Sequence, residues 1–207
     1  VTDKQASQHR FLGSGIEGLL RIASSYSHRF DEVILSLPKG RKLQAITVSA
    51  NRRQTTIINA TLENATLNTN GYLLRIEGSR IKNSKFTTPN IINIFKTELT
   101  DSQVKTEGGH IYAENIQVYG NVELDSHNHL RLFLSKTEFD RINLDISSQH
   151  GGIYHNAQRE HPRQRENELT NPYKTDKADV KDLLIIKANQ DIYLTKEEEY
   201  SAPPRNH

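Results

Sequence analysis

Asn59-Ala60-Thr61-Leu62-Glu63-Asn64-Ala65-Thr66-Leu67-Asn68 holds two nearly identical five-residue units in a row. Each unit carries one large apolar residue, Leu62 or Leu67, placed two positions after a small one, Ala60 or Ala65. A five-residue return fits neither the 3.6-residue period of a helix nor the two-residue alternation of a long strand. It fits a chain that makes a short strand, turns a corner and makes another, so the stretch predicts a coil of stacked short strands. The pattern extends over Ile58 to Ile146, and the rest of the chain reads as its cap or its tail.

Working outward, Ile76, Ile81, Phe86 and Ile91 follow at five-residue spacing, and Ile94, Leu99 and Val104 repeat it in a frame displaced by three. The displacement sets a longer period of 18, which relates Leu74 to Ile92, Ile76 to Ile94, Ile81 to Leu99 and Phe86 to Val104. Tyr112, Val122 and Leu130 are read as continuing the register from Ile94, Val104 and Tyr112. One coil is therefore expected to hold three full sides and a shortened fourth. The position two before the inward residue is small at Ala60, Ala65, Ser79, Ser84, Thr97, Ser102 and Thr137. In a tight coil that side chain turns inward near the corner, where only a small one fits beside its larger neighbour.

In these units the chain resembles the pentapeptide-repeat family. The likeness is carried by Ala60-Thr61-Leu62-Glu63-Asn64, Ala65-Thr66-Leu67-Asn68-Thr69, Ser84-Lys85-Phe86-Thr87-Thr88 and Thr97-Glu98-Leu99-Thr100-Asp101. It covers about residues 58–146 and implies a right-handed, four-sided β-helix. The second positions are Thr, Arg, Lys, Gln and Glu where that family prefers Asp or Asn, and part of one side is missing from each coil.

Composition agrees with a thin interior. Apolar residues make up 34% of the 207, and mean hydropathy is −0.70, too little for a thick globular core but enough for a solenoid one side chain deep. Lys and Arg number 27 against 25 Asp and Glu, so no concentrated basic face points to nucleic acid. The lack of cysteine excludes disulfides, thiolate catalysis and Cys-based zinc sites. No apolar run reaches the roughly 20 residues that span a bilayer, and the N-terminus lacks the layout of a signal peptide. The absence of methionine and the start at Val1 suggest a processed chain or an excised piece of a longer one.

Residues 1–50 read as an N-terminal cap. Ile16, Leu19, Leu20 and Ala23 are spaced as one face of a helix over 15–26, and strands follow at Val33-Ile34-Leu35 and Leu43 to Val48. The solenoid body spans 51–154. Residues 155–178, rich in Arg, Gln, Glu, Asn and Pro, bury too little to offset their ordering entropy and read as a mobile polar linker. In 179–207, Leu183-Leu184-Ile185-Ile186 and Ile192-Tyr193-Leu194 are expected to form a hairpin, or a short helix and strand, docked on the body before a charged tail.

Motifs that could carry chemistry are few. Gly13-Ser14-Gly15-Ile16-Glu17-Gly18 has the letters of a dinucleotide fingerprint without a strand core before it, so it reads as a turn and no cofactor is assigned. His127 and His129 are candidate metal ligands, with His110, His150 and His155 in neighbouring coils as possible third donors, but no acidic residue recurs with them and they read as a polar corner. Carboxylates of the type a β-helical glycosidase uses are Glu98, Asp101, Glu114, Glu123, Asp125, Glu138 and Asp140. At an 18-residue period Glu98 falls near Glu114, and Glu123 near Arg141. The basic run Arg159 to Arg165 is cancelled by Glu160, Glu166 and Glu168. No nucleophile elbow is present, and no catalytic residue is assigned.

The sequence thus predicts a mostly-β protein, a right-handed, pentapeptide-like β-solenoid of about 18 residues per coil with an N-terminal helical and strand cap and a small docked C-terminal element. The expected function is non-catalytic recognition of a protein partner by a bacterial secreted or periplasmic module, with Tyr112, Tyr119, Glu123 and Phe133 as its surface. A glycan-binding or carbohydrate-active β-helix is the alternative, favoured if Tyr112 and Tyr119 share one wall beside a carboxylate pair. A structural stalk, stacking end to end between chains, is the third.

Overall fold

Parallel strands, each three to six residues long in the body, recur in a fixed order along the chain. The computed structural model describes residues 8–12, 19–23, 32–36, 42–43, 45–49, 54–69, 71–155, 158–159 and 173–197. One turn runs Leu73–Glu77, Arg80–Lys82, Lys85–Thr88, and the next repeats it as Ile91–Phe95, Glu98–Thr100, Gln103–Thr106. Strands of like position pair in parallel, so the chain winds into a prism with three walls.

The first wall is a ten-stranded sheet. In spatial order it holds Gln8–Leu12, Glu32–Ser36, Gln54–Ile58, Leu73–Glu77, Ile91–Phe95, Ile111–Glu114, Leu130–Ser135, Ile192–Glu197, Ile153–His155 and Gln158–Arg159. The second wall runs Lys42–Leu43, Thr61–Glu63, Arg80–Lys82, Glu98–Thr100, Gln117–Tyr119. The third runs Thr66–Asn68, Lys85–Thr88, Gln103–Thr106, Asn121–Ser126, Leu183–Ala188, Asn143–Ser148, Tyr173–Lys174. A further pair, Leu19–Ala23 and Ala45–Ser49, is parallel as well.

The expected registers Leu74 with Ile92, Ile76 with Ile94, Ile81 with Leu99 and Phe86 with Val104 are all formed. These side chains are fully buried and make the core. The coil is three-sided, however, not four-sided as the pentapeptide resemblance implied. A first-wall strand points two side chains inward, such as Leu74 and Ile76, and the supposed short fourth side is the first of these. Consequently Ile92 is buried and Ile91, expected inside, is only half-buried.

The register beyond Val104 also differs. Coils lengthen from 18 to 19 residues where Glu107-Gly108-Gly109-His110 adds a residue to the third corner, and to 20 where a second is added between Tyr119 and Glu123. Gly109 is required at the third corner, since a Cβ would sit 2.0 Å from the Asn90 carbonyl oxygen. Ala113 therefore lies against Ile94, Leu124 against Val104 and Leu130 against Ile111, and Tyr112 faces outward.

Corners explain the small residues. The corner residue is left-handed at Asn59, Gly78, Lys96 and Asn115 between the first two walls, and at Asn64, Asn83, Asp101 and Gly120 between the second and third; a small residue follows all of these but Asn115 and Gly120. That conformation reverses the chain within two residues, and Asn and Gly adopt it at least cost. The small residue that follows is more than a filler. Ser84 Oγ donates to the Lys82 carbonyl and accepts the Ala65 N–H at 2.9 Å, and Ser102 and Ser79 repeat both bonds in their coils.

At Lys136–Arg141 the second-wall strand is replaced by a helix, capped by Ser135, whose Oγ accepts the Glu138 N–H. Phe139 belongs to this helix. Six helical residues climb about 9 Å, close to two inter-strand spacings of ~4.8 Å. The strand after it, Asn143–Ser148, is accordingly two layers from Asn121–Ser126, and the layer between is filled from elsewhere in the chain.

The filler is the C-terminal segment. Leu183–Ala188 pairs in parallel with Asn121–Ser126 on one side and Asn143–Ser148 on the other. Ile192–Glu197 likewise lies between Leu130–Ser135 and Ile153–His155. The compact pair expected at this end is thus no hairpin docked outside; its two strands each find better partners by completing a coil. Beyond that coil, antiparallel strands end two walls: Gln158–Arg159 the first and Tyr173–Lys174 the third.

Of the strands expected before residue 51, Val33-Ile34-Leu35 lies in the first wall, whereas Leu43 to Val48 falls in two strands, Lys42–Leu43 on the second wall and Ala45–Ser49 paired with Leu19–Ala23. The helix expected over 15–26 is not seen in its described part. Leu19–Ala23 is a strand whose Leu20 and Ile22 pair with Ile46 and Val48, so a two-residue alternation with a parallel partner overrides the helical spacing. The boundary at residue 51 and most of the polar segment within 155–178 lie outside the described residues.

Candidate recognition surface

Outward side chains of a parallel sheet stack in columns one strand spacing apart, and on the first wall one such column is rich in rings and cations. Arg75, Asn93, Tyr112, Arg131, Tyr193 and Tyr154 occupy it in spatial order. The neighbouring column carries Glu77, Phe95, Glu114 and Phe133. Each follows the same local rule, in which an inward apolar residue on either side turns the central one out: Ile111-Tyr112-Ala113, Leu130-Arg131-Leu132, Ile192-Tyr193-Leu194.

The rings interlock across strands. Tyr112 lies 5.5 Å from Phe95 and 5.3 Å from Phe133, tilted by 46° and 40°. The Arg75 guanidinium covers Phe95 at 5.3 Å, and Tyr112 Oη donates to Glu114 at 2.8 Å. Farther along, Arg131 lies 5.3 Å over Tyr193, which stacks on Tyr154 at 5.1 Å. Arg131 is exposed and has no carboxylate partner among the described residues. It stands between the two ring clusters, in register with Tyr112 on one side and Tyr193 on the other.

Beside Arg131 the third corner adds two stacked imidazoles, His110 and His129, 5.5 Å apart. With Ile111, Tyr112, Arg131 and Tyr193 they line a hollow of about 270 Å³. His129 Nδ1 is 3.8 Å from Asp191. Burial, together with His129 and Arg131, holds the His110 imidazole below its ordinary value. Burial likewise pushes the Tyr193 phenol up, helped by Asp191 and Tyr154.

Of the four surface residues expected from the sequence, Tyr112 and Phe133 are in contact on this wall. The other two are elsewhere. Tyr119 is on the second wall, its ring 4.6 Å under the Arg141 guanidinium. Glu123 is on the third wall, 2.7 Å from Lys187. Burial would raise the Glu123 carboxyl, but hydrogen bonds from Lys187 and Gln103 outweigh it and hold the group below its ordinary value. Tyr112 and Tyr119 therefore do not share a wall.

The other candidates scatter. His127 Nδ1 faces the Asn189 amide at 3.3 Å, His155 stacks on Phe139 at 5.3 Å, and His150 is exposed. Among the described residues no three His, Asp or Glu side chains are gathered as metal ligands. Glu98 pairs with Arg80, Asp125 with Lys105, Glu138 with Arg141 and Asp140 with Lys196. Glu98 is in register with Gln117 and Glu114 is on another wall, because the true coil is 19 residues there; Arg141 is held by Glu138 and Asp182, away from Glu123.

Sequence reasoning passed over Arg75, Arg131, Tyr154 and Tyr193. The repeated apolar–ring–apolar and apolar–Arg–apolar triplets are the signal that would have found them. No helix among the described residues is long and apolar enough to cross a membrane. No curated protein and no solved structure matches the chain. Residues 1–195 match the model of a β-solenoid-like repeat family, and the chain belongs to that family, Toastrack DUF4097.

Proposed function

We propose that the chain is a non-catalytic recognition module that binds a protein partner through the outer face of its first wall. The observation that carries this is the strip of Phe95, Tyr112, Phe133, Tyr193 and Tyr154, with Arg131 between its two ring clusters and Arg75 at its flank. Aromatic residues and arginine are the side chains most enriched where protein interfaces concentrate their energy. The strip crosses five adjacent strands, about 19 Å at ~4.8 Å each, long enough for the centre of an interface.

Ring orientation favours a protein over a glycan. Sugars stack on free faces of aromatic rings, whereas Tyr193 and Tyr154 stack on each other and Tyr112 packs at a tilt against Phe95 and Phe133, so these rings already contact one another. Edges carry the positive part of the ring quadrupole and suit carbonyl and carboxylate oxygens. The ion-paired carboxylates support a binding role over hydrolysis, and the turn to short antiparallel strands at the ends of two walls supports a finite module over an end-to-end parallel stalk. A bacterial secreted or periplasmic setting suits such a module.

The test places a photo-crosslinking residue at Arg131 and compares Tyr112→Ser/Phe133→Ser with Lys85→Ser on the third wall. A saturable crosslink to one protein, lost in the first variant and kept in the second, is expected. Recovery of oligosaccharide from a glycan array with no protein crosslink would overturn the reading.

A further inference from the structure

The layer occupied by residues 183–197 is a slot that the rest of the body builds without it. The helix Lys136–Arg141 lifts the chain two layers instead of one, so Asn121–Ser126 and Asn143–Ser148 face each other across a gap of one strand. Leu130–Ser135 and Ile153–His155 do the same on the first wall. Nothing in the continuous run of residues 111–155 fills that gap.

Among the described residues the occupant is held to the walls by strand pairings distant in sequence. The Leu183 N–H donates to the Gly120 carbonyl at 2.8 Å, and the Ile192 N–H donates to the Gly152 carbonyl at 2.9 Å. Leu184, Ile186, Ile192 and Leu194 are buried in the core left open by the missing layer. Registers, inward apolar positions and side-chain pairs such as Lys187 with Glu123 and Lys196 with Asp140 seat the segment, and a second copy offers all of them identically. The second-wall edge at Val118 is covered by Glu138 and Arg141 of the helix, and the first and third walls each end in a two-residue antiparallel strand.

We propose that a second copy of this chain can supply Leu183–Glu197 to the slot, so that the protein self-associates by exchanging its inserted coil. Seating within one chain is favoured by an effective concentration on the order of millimolar. Exchange therefore dominates where copies are crowded to that level while the slot is open. In the exchanged pair each first-wall strip stays complete, because Tyr193 arrives with the incoming segment.

The chain has no cysteine, which makes a two-copy test direct. Asp125 and Lys187 are register partners with outward side chains. One full-length copy carries Asp125→Cys and another carries Lys187→Cys; the two are mixed, unfolded, refolded together under reducing conditions and then oxidised. At about millimolar protein the mixed disulfide dimer should exceed same-variant dimers roughly tenfold, and the excess should vanish at micromolar protein. The double variant in one chain should close its own disulfide at micromolar concentration, which shows that both substitutions fold and that the register is right. Warming the two folded variants together below the unfolding midpoint gives a second reading that does not depend on refolding. Statistical proportions of the dimers, absence of the mixed dimer at millimolar protein, or failure of the double variant to close would each overturn the proposal.

Discussion

Glu138 Oε1 accepts the backbone N–H of Val118 at 2.6 Å, while Arg141 of the same helix donates to the Val118 carbonyl. Val118 is the middle residue of the last second-wall strand, so two side chains stand where the next strand's backbone would be. Arg141 is held in turn by Glu138 and Asp182, and its guanidinium is pushed above its ordinary value chiefly by the Glu138 hydrogen bond. An uncovered parallel edge is a template for another chain. Here the element that creates the two-layer step also closes the edge it leaves behind.

Removing this cap should be costly. Glu138→Ala strands a buried N–H and leaves Arg141 with one carboxylate, an expected loss of about 2–4 kcal/mol. Glu138→Gln keeps an acceptor for Val118 and should lose roughly half as much. Urea denaturation with light scattering reads both the stability and the exposed edge. A Glu138→Ala protein that unfolds at the wild-type midpoint would rule out this role.

The three-sided frame makes a sharp prediction for two adjacent isoleucines. Ile92 is fully buried and Ile91 is half-buried at the start of the same strand. Ile92→Ala should cost about 2–5 kcal/mol, since a core one side chain deep cannot close over a lost side chain. Ile91→Ala should cost about 1 kcal/mol or less. Equal losses in thermal or urea melts would favour the five-residue frame that places Ile91 inside.

Why the sequence showed the stacking but not the number of walls is visible at these residues. A second- or third-wall side is three strand residues and a two-residue corner, which is the five-residue unit of Ala60 to Asn64. The first wall has two inward positions, and their two-residue spacing looks like a clipped fourth side. The likeness to pentapeptide repeats arises in the same way, since a left-handed corner followed by a small buried hydroxyl or alanine produces a small residue two before an apolar one. The insertion of 183–197 was not legible, because its apolar alternation suits any half-buried strand and nothing local names its partners. For the recognition strip, Tyr112 and Phe133 were found as rings near the irregular coils. Tyr193 and Tyr154 were missed because they join the wall only through that insertion.

Corner geometry predicts a stabilising change. Asn59, Gly78 and Asn115 take the left-handed corner between the first two walls, and Lys96 takes it in the coil between them with φ 48°. Lys has no local hydrogen bond to offset the contact between its Cβ and backbone, whereas Asn adopts this conformation readily. Lys96→Asn should raise stability by about 0.5–1 kcal/mol. A denaturation midpoint that falls would show that the Lys96 side chain contributes more than its backbone strain removes.

Acid should weaken the protein in two steps, each with a defined sign. His110 titrates below its ordinary 6.5 in the fold, because burial and its neighbours His129 and Arg131 disfavour the charged ring, with Tyr112, Tyr193 and Asp191 also around the hollow. The unfolded chain then binds a proton that the folded one resists. Stability from this group is full above 6.5 and is lost as pH falls through that value toward the lower folded one. Glu123 acts in the same direction lower down: Lys187 and Gln103 outweigh its burial, so its contribution is present above its ordinary 4.5 and declines as pH falls below it. Urea midpoints measured from pH about 8 to about 3 should therefore show two descending limbs. His110→Gln should flatten the upper limb and leave the lower, and Glu123→Gln should do the reverse. An upper limb that persists unchanged in His110→Gln would assign the proton uptake to another histidine and detach it from the hollow.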